Sequence, residues 1–238
     1  MNKIILWTIL PFLTACSTDS FKSGPLEDNV RNYSKAGIVH PYNPANGWDR
    51  AGQLHNELSE SYVLQGYTPL TVQGTLVTVD SIAQHNTLFQ QLKGNGYIMP
   101  ASSLLEQILL QSKSNGTDAL SNTSLSSSAK AILAGFIDEV RSLEASKAEY
   151  ADTYNYIVAV EESIQKNGAC NKRDRELLLI TTAITRHAAY FARKQKKKPR
   201  DKDWDLVVAN IVAATGGAEQ SAARAAIMAA TAGIVANY

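Results

Sequence analysis

Trp48-Asp49-Arg50-Ala51-Gly52-Gln53-Leu54-His55-Asn56-Glu57-Leu58-Ser59-Glu60-Ser61-Tyr62 is the stretch whose reading decides the fold class. Trp48, Ala51, His55, Leu58 and Tyr62 recur at intervals of three, four, three and four, the repeat of one face of an α-helix. Asp49 is placed to cap this helix, which is predicted to run to about Gln65 and stop at Gly66. The same pattern returns along the chain. A second helix is predicted from Asp80, with Ile82, Phe89 and Leu92 inward, ending at Lys93-Gly94-Asn95-Gly96, and a third from Pro100 to Asn115-Gly116. A fourth is predicted over about Ser127 to Glu149, a fifth over Asp152 to Lys166 and a sixth over Asn171 to Gln195. After Pro199 come a seventh from about Trp204 to Ala214, a break at Gly216-Gly217, and an eighth from Ala218 nearly to Tyr238. Only Tyr67 to Val79, with the alternations Leu70-Thr71-Val72 and Leu76-Val77, reads as a short extended piece. The expectation is an all-α fold of about eight helices with few or no strands. The serine-rich run Ser121 to Ser128 is either a linker or the turn that caps the fourth helix.

Upstream, the first sixteen residues set an address. Lys3, the apolar run Ile4 to Phe12 and the small-residue close Leu13-Thr14-Ala15-Cys16 have the three parts of an export leader. The apolar run is shorter than the roughly 20 residues a spanning helix needs. Leu13-Thr14-Ala15-Cys16 resembles the lipobox of bacterial lipoproteins. That resemblance implies removal of residues 1–15, lipidation of Cys16 and a membrane partner reached through its acyl chains. In that family Ser17, rather than aspartate, after the cysteine implies the outer membrane, with the domain facing the periplasm or the cell surface. Residues 16–25, Cys-Ser-Thr-Asp-Ser-Phe-Lys-Ser-Gly-Pro, read as a flexible tether, and 26–238 as one helical domain that opens with a Pro/Asn/Gly-rich lead-in.

The chain has 23 basic and 22 acidic residues; the leader contributes Lys3 alone, so 22 remain on each side after its removal. No global field recruits a polyanion, and no nucleic-acid partner is expected. With Cys16 lipidated, Cys170 has no disulfide partner, and it reads as a small apolar residue more readily than as a reactive thiol. A Gly-x-Ser-x-Gly elbow, His-Glu-x-x-His, Cys-x-x-Cys and a Walker loop are all missing from the sequence. No cofactor or metal is expected.

The most specific local pattern is a His-Asn dipeptide that occurs twice, as His55-Asn56 and His85-Asn86. Residues one helical turn from either histidine are poor metal ligands. The structural reading has His55 and Asn56 lock the lead-in to the domain through hydrogen bonds. The functional reading makes His55 the acid/base of a periplasmic or surface hydrolase, with Asn56 or Glu57 beside it, and requires its ring to line an open cleft. Asn43-Pro44-Ala45-Asn46-Gly47-Trp48-Asp49-Arg50-Ala51-Gly52-Gln53-Leu54-His55-Asn56 resembles a segment of bacterial envelope lipoproteins. Those pair an Asn-Pro lead-in with a Gly-x-x-His-Asn helix and end in an Ala/Gly-rich helix. The resemblance implies localisation and fold, and no reaction.

Arg193, Lys194, Lys196, Lys197, Lys198 and Arg200 form a dense basic run. It is a candidate for anionic headgroups, or a solvated helix end whose charge suits the dipole. Arg186 and His187, ahead of Tyr190-Phe191, read as core with a satisfied histidine rather than as a ligand box. A non-enzymatic binding or scaffold module acting on an envelope protein partner is the functional expectation.

Overall fold

The computed structural model describes residues 40–68, 71–114, 118–194 and 203–237. The leader, Cys16, the tether and Lys196, Lys197, Lys198 and Arg200 lie outside them. Among the described residues the chain forms α1 (Asp49–Leu64), α2 (Val72–Gln84), α3 (Thr87–Leu92), α4 (Ser102–Ser114), a 3-10 turn (Asp118–Asn122), α5 (Ser127–Ala145), α6 (Tyr150–Lys166), α7 (Lys172–Lys194), α8 (Asp203–Ala218) and α9 (Ala222–Asn237), with no strand. The fold is all-α.

The last helix is the centre. From Ala222 to Ile234 every residue of α9 is buried, as expected of a helix apolar all round. Its alanines give it thin walls, so α8, α1, α2, α7, α4 and α3 all touch it. The amphipathic helices form the surrounding layer. In this layer α1 and α6 both pack on α7. No described helix is long and apolar enough to cross a membrane.

Three sequence expectations are corrected. Residues 72–84 are helical, although their alternation suggests an extended piece. Thr71 caps the helix by accepting from the Gly74 N–H at 3.0 Å. Leu76, Val79 and Ala83 then supply a buried face at helical spacing, so packing on α9 overrides β-propensity. The helix predicted from Asp80 is two, because Asn86 starts a new one by accepting from the Phe89 N–H at 2.9 Å. Finally, Gly216-Gly217 does not break α8, which continues to Ala218. A Cβ on Gly217 would sit 2.5 Å from Ala225 Cα, so this glycine permits the close α8–α9 approach. The serine-rich stretch resolves as a cap: Ser126 Oγ accepts from the Ala129 N–H at 3.3 Å and donates to Asp174 at 2.8 Å.

Candidate functional site

The lead-in is built by its asparagines. Asn43 Oδ1 accepts from the Ala45 N–H at 3.1 Å and Asn46 Oδ1 from the Trp48 N–H at 2.9 Å, forming two successive Asx turns. Their Nδ2 groups point the other way and clamp one carboxylate. Asn43 Nδ2 donates to Glu161 Oε2 at 2.6 Å and Asn46 Nδ2 to Glu161 Oε1 at 2.8 Å; the latter amide also reaches the Leu179 carbonyl at 3.0 Å.

Glu161 belongs to a buried ionic cluster. Arg186 Nη2 donates to Asp49 Oδ1 at 2.7 Å and to Glu161 Oε1 at 3.1 Å, while Nη1 donates to the Pro41 carbonyl. Arg186 and Glu161 are wholly buried, and Asp49 and His187 nearly so. One cation thus faces two carboxylates in a water-poor space, an arrangement tolerable only with many hydrogen-bond donors. The asparagine amides supply them to Glu161. The Asn43 N–H at 3.2 Å and His187 Nε2 at 3.3 Å supply them to Asp49 Oδ1. Helical spacing explains the convergence. Tyr154, Glu161 and Gln165 lie on one face of α6, and Tyr154 Oη and Gln165 Nε2 donate to the carbonyls of Tyr42 and Ala45 at 2.9 and 2.8 Å.

Charge states follow from this environment. Burial opposes ionisation of Asp49, but the His187 hydrogen bond and the Arg186 charge outweigh it and hold the carboxyl below its ordinary value. Burial pulls His187 down despite Asp49, so the ring is neutral and donates from Nε2. His55 is pushed down to about 3 by burial and by the neighbouring His187, against the Asn210 amide, which favours its proton. Burial pushes the free Cys170 thiol up, away from the reactive thiolate.

The clamp confirms that the lead-in is locked to the domain, but corrects which residues do it. Asp49 is inside the first turn of α1 as an ion-pair partner, and the Trp48 cap position has no side-chain hydrogen bond. Asn56 donates along its own helix to Glu60 at 3.1 Å. His55 is buried beside His187 and Asn210, so it lines no open cleft, the condition a hydrolase built on it requires. Gly52 completes the pattern: a Cβ there would lie 2.4 Å from His187 Cδ2 and 2.5 Å from the Ala183 carbonyl oxygen. Asp49, Gly52 and His55, three residues apart, are therefore the seam between α1 and α7.

The second His-Asn pair faces outward. His85, Asn86, Arg50, Gln53, Glu57 and Gln91 line an open polar cleft of about 400 Å³ between α1 and the α2–α3 corner. Asn86 Nδ2 donates to Glu57 Oε2 at 2.7 Å and Gln53 Nε2 to Glu57 Oε1 at 2.8 Å. Arg50 donates to Gln91 Oε1. His85 Nδ1 lies 2.9 Å from the Ser81 carbonyl; an oxygen that only accepts calls for the proton on Nδ1, which in the neutral ring leaves Nε2 as an acceptor. Among the described residues no group of three or more His, Cys, Asp or Glu side chains is arranged to hold a metal.

Of the basic run, Lys194 pairs with Glu60 at 3.1 Å and sits 4.7 Å over the Tyr190 ring, and Arg193 lies 5.6 Å over the Tyr150 ring. Both bases are engaged by the folded domain. The sequence places Arg186 and His187 in the core, where both are buried, but their partners Glu161, Asn43 and Asn46 escaped sequence reasoning. The signal that would have found them is an arginine continuing the apolar face of α7 after Leu179, which must meet a buried acid.

No family model, curated protein or solved structure matches this chain.

Proposed function

We propose that this chain is an exported lipoprotein of the outer membrane, anchored through acyl chains on Cys16, whose helical domain faces the periplasm or the cell surface and binds or scaffolds an envelope partner without catalysis. The address rests on Lys3, the short apolar run and Leu13-Thr14-Ala15-Cys16. One observation carries the non-catalytic reading. The cluster of catalytic residue types Asp49, Glu161, Arg186 and His187 is at most 4 % exposed and is engaged with itself and with the lead-in. A substrate has no route to it.

A clamp on residues 41–49 fixes the approach to α1 to the domain, which suits a module anchored from its N-terminal side. The test is fractionation of cells carrying wild type and Cys16→Ser, with intact mass measured on the membrane-bound form. Wild type is expected in the outer membrane with a mass increment of acyl chains. Release of Cys16→Ser into the soluble fraction completes the expected result; an unlipidated wild type, or a Cys16→Ser protein as membrane-bound as before, overturns it.

A further inference from the structure

We infer that the open cleft between α1 and the α2–α3 corner is a binding site for a short zwitterionic peptide, with its carboxylate at Arg50 and its ammonium at Glu57. This deepens the binding-module reading and rests on it.

Among the described residues, two charges that line the cleft meet no opposite charge. Glu57 is held by the amides of Gln53 and Asn86, and Arg50 by the amide of Gln91. Among the described residues neither forms an ion pair. Neutral amides fix the geometry of both groups and leave their charge available, whereas an acid–base pair would have cancelled it.

Spacing sets the ligand's length. Arg50 and Glu57 are seven residues apart on α1, two turns, so their backbone positions differ by about 10 Å along the axis. An extended tripeptide covers about 10 Å. Opposite charges carried on backbone positions that far apart suit the two termini of one small ligand better than a single ion of either sign. Gln53 and Gln91 line the cleft with the two charges, and each carboxamide carries a donor and an acceptor, the complement of a peptide bond. His85 Nε2, left as an acceptor by the Ser81 hydrogen bond, suits a peptide N–H. A volume of about 400 Å³ lies within the range of small-ligand sites. The two His-Asn dipeptides thus divide the work: His55 fills the core and His85 edges the cleft.

The test is isothermal titration calorimetry of the purified full chain in detergent with tri-alanine, N-acetyl-tri-alanine and tri-alanine amide, repeated with Arg50→Gln and Glu57→Gln. Circular dichroism melts check that both surface variants stay folded. Tri-alanine is expected to give saturable heat. Blocking either terminus, or making either substitution, is expected to weaken binding by about three- to tenfold, since each contact is a partly exposed ion pair. The pairing is expected to be specific: Glu57→Gln becomes indifferent to acetylation but not to amidation, and Arg50→Gln the reverse. No saturable heat into the millimolar range, or equal binding of the blocked and free peptides, overturns the inference. Because lipidation of Cys16 is read separately by mass, such a result with Cys16 lipidated would remove the peptide site and leave the anchored-module reading standing.

Discussion

Arg186 carries a charge into the core. Its guanidinium is wholly buried between Asp49 and Glu161, so removing it strands two carboxylates in the core. Arg186→Met is expected to destabilise the domain by about 3–5 kcal/mol, read from urea unfolding. A loss below about 1 kcal/mol would mean that water reaches the cluster. Gly52→Ala presses a methyl against the Ala183 carbonyl and the His187 ring, and is expected to cost about 1–3 kcal/mol by the same measurement. His55 carries the pH dependence. In the folded chain it takes a proton only near pH 3, against 6.5 when unfolded, so on acidification the unfolded state protonates first. Stability is therefore full above pH 6.5 and is lost as pH falls toward 3, up to about 2 kcal/mol between pH 6.5 and 5. His187, also depressed, adds in the same direction. Asp49, held low, acts below its ordinary value of 3.8, where its contribution falls away as the pH drops. Melts of wild type and His55→Gln across this range should show a shallower acid slope in the variant.

At the scale of elements, what was legible was periodicity, and what was not was partnership. The α1 face at Ala51, His55, Leu58 and Tyr62 reads directly from spacing, and each of the four is buried. The extent of α2 did not, because Val72, Leu76 and Val77 satisfy a strand alternation equally well until α9 offers a surface for a helical face. The break at His85-Asn86 was hidden for a different reason: Ile82, Phe89 and Leu92 read as one inward face across it, and only the contacts of Asn86 show it starting α3. Asn86→Ala removes both the α3 cap and a donor to Glu57. It is expected to destabilise the domain by about 1 kcal/mol, checked by thermal melting. Gly217 misled in the opposite way. A Gly-Gly pair reads as a stop in one dimension, yet in three it is the clearance that lets α8 lie against Ala225.

At the scale of the whole molecule, an Ala-rich helix is enclosed by amphipathic ones, and the polar lead-in is bolted to the outside of that assembly by a buried clamp. The clamp could not be read from sequence because its members come from residues 41–49, 161 and 186, more than a hundred positions apart at the widest, and charge pairing at that separation leaves no local pattern. The His-Asn motif drew attention to the right seam through the wrong atoms. Residues 41–49 are, through the clamp, part of the cooperative core. Hydrogen exchange of the Asn46 and Asp49 amides, which donate to Asn43 and Asn46 carbonyls at 3.1 and 3.0 Å, tests it most directly in wild type and Glu161→Gln. Wild-type protection is expected close to that of the α7 amides, with selective loss in Glu161→Gln while α9 stays protected. Rapid exchange of both amides in the wild-type protein would contradict it.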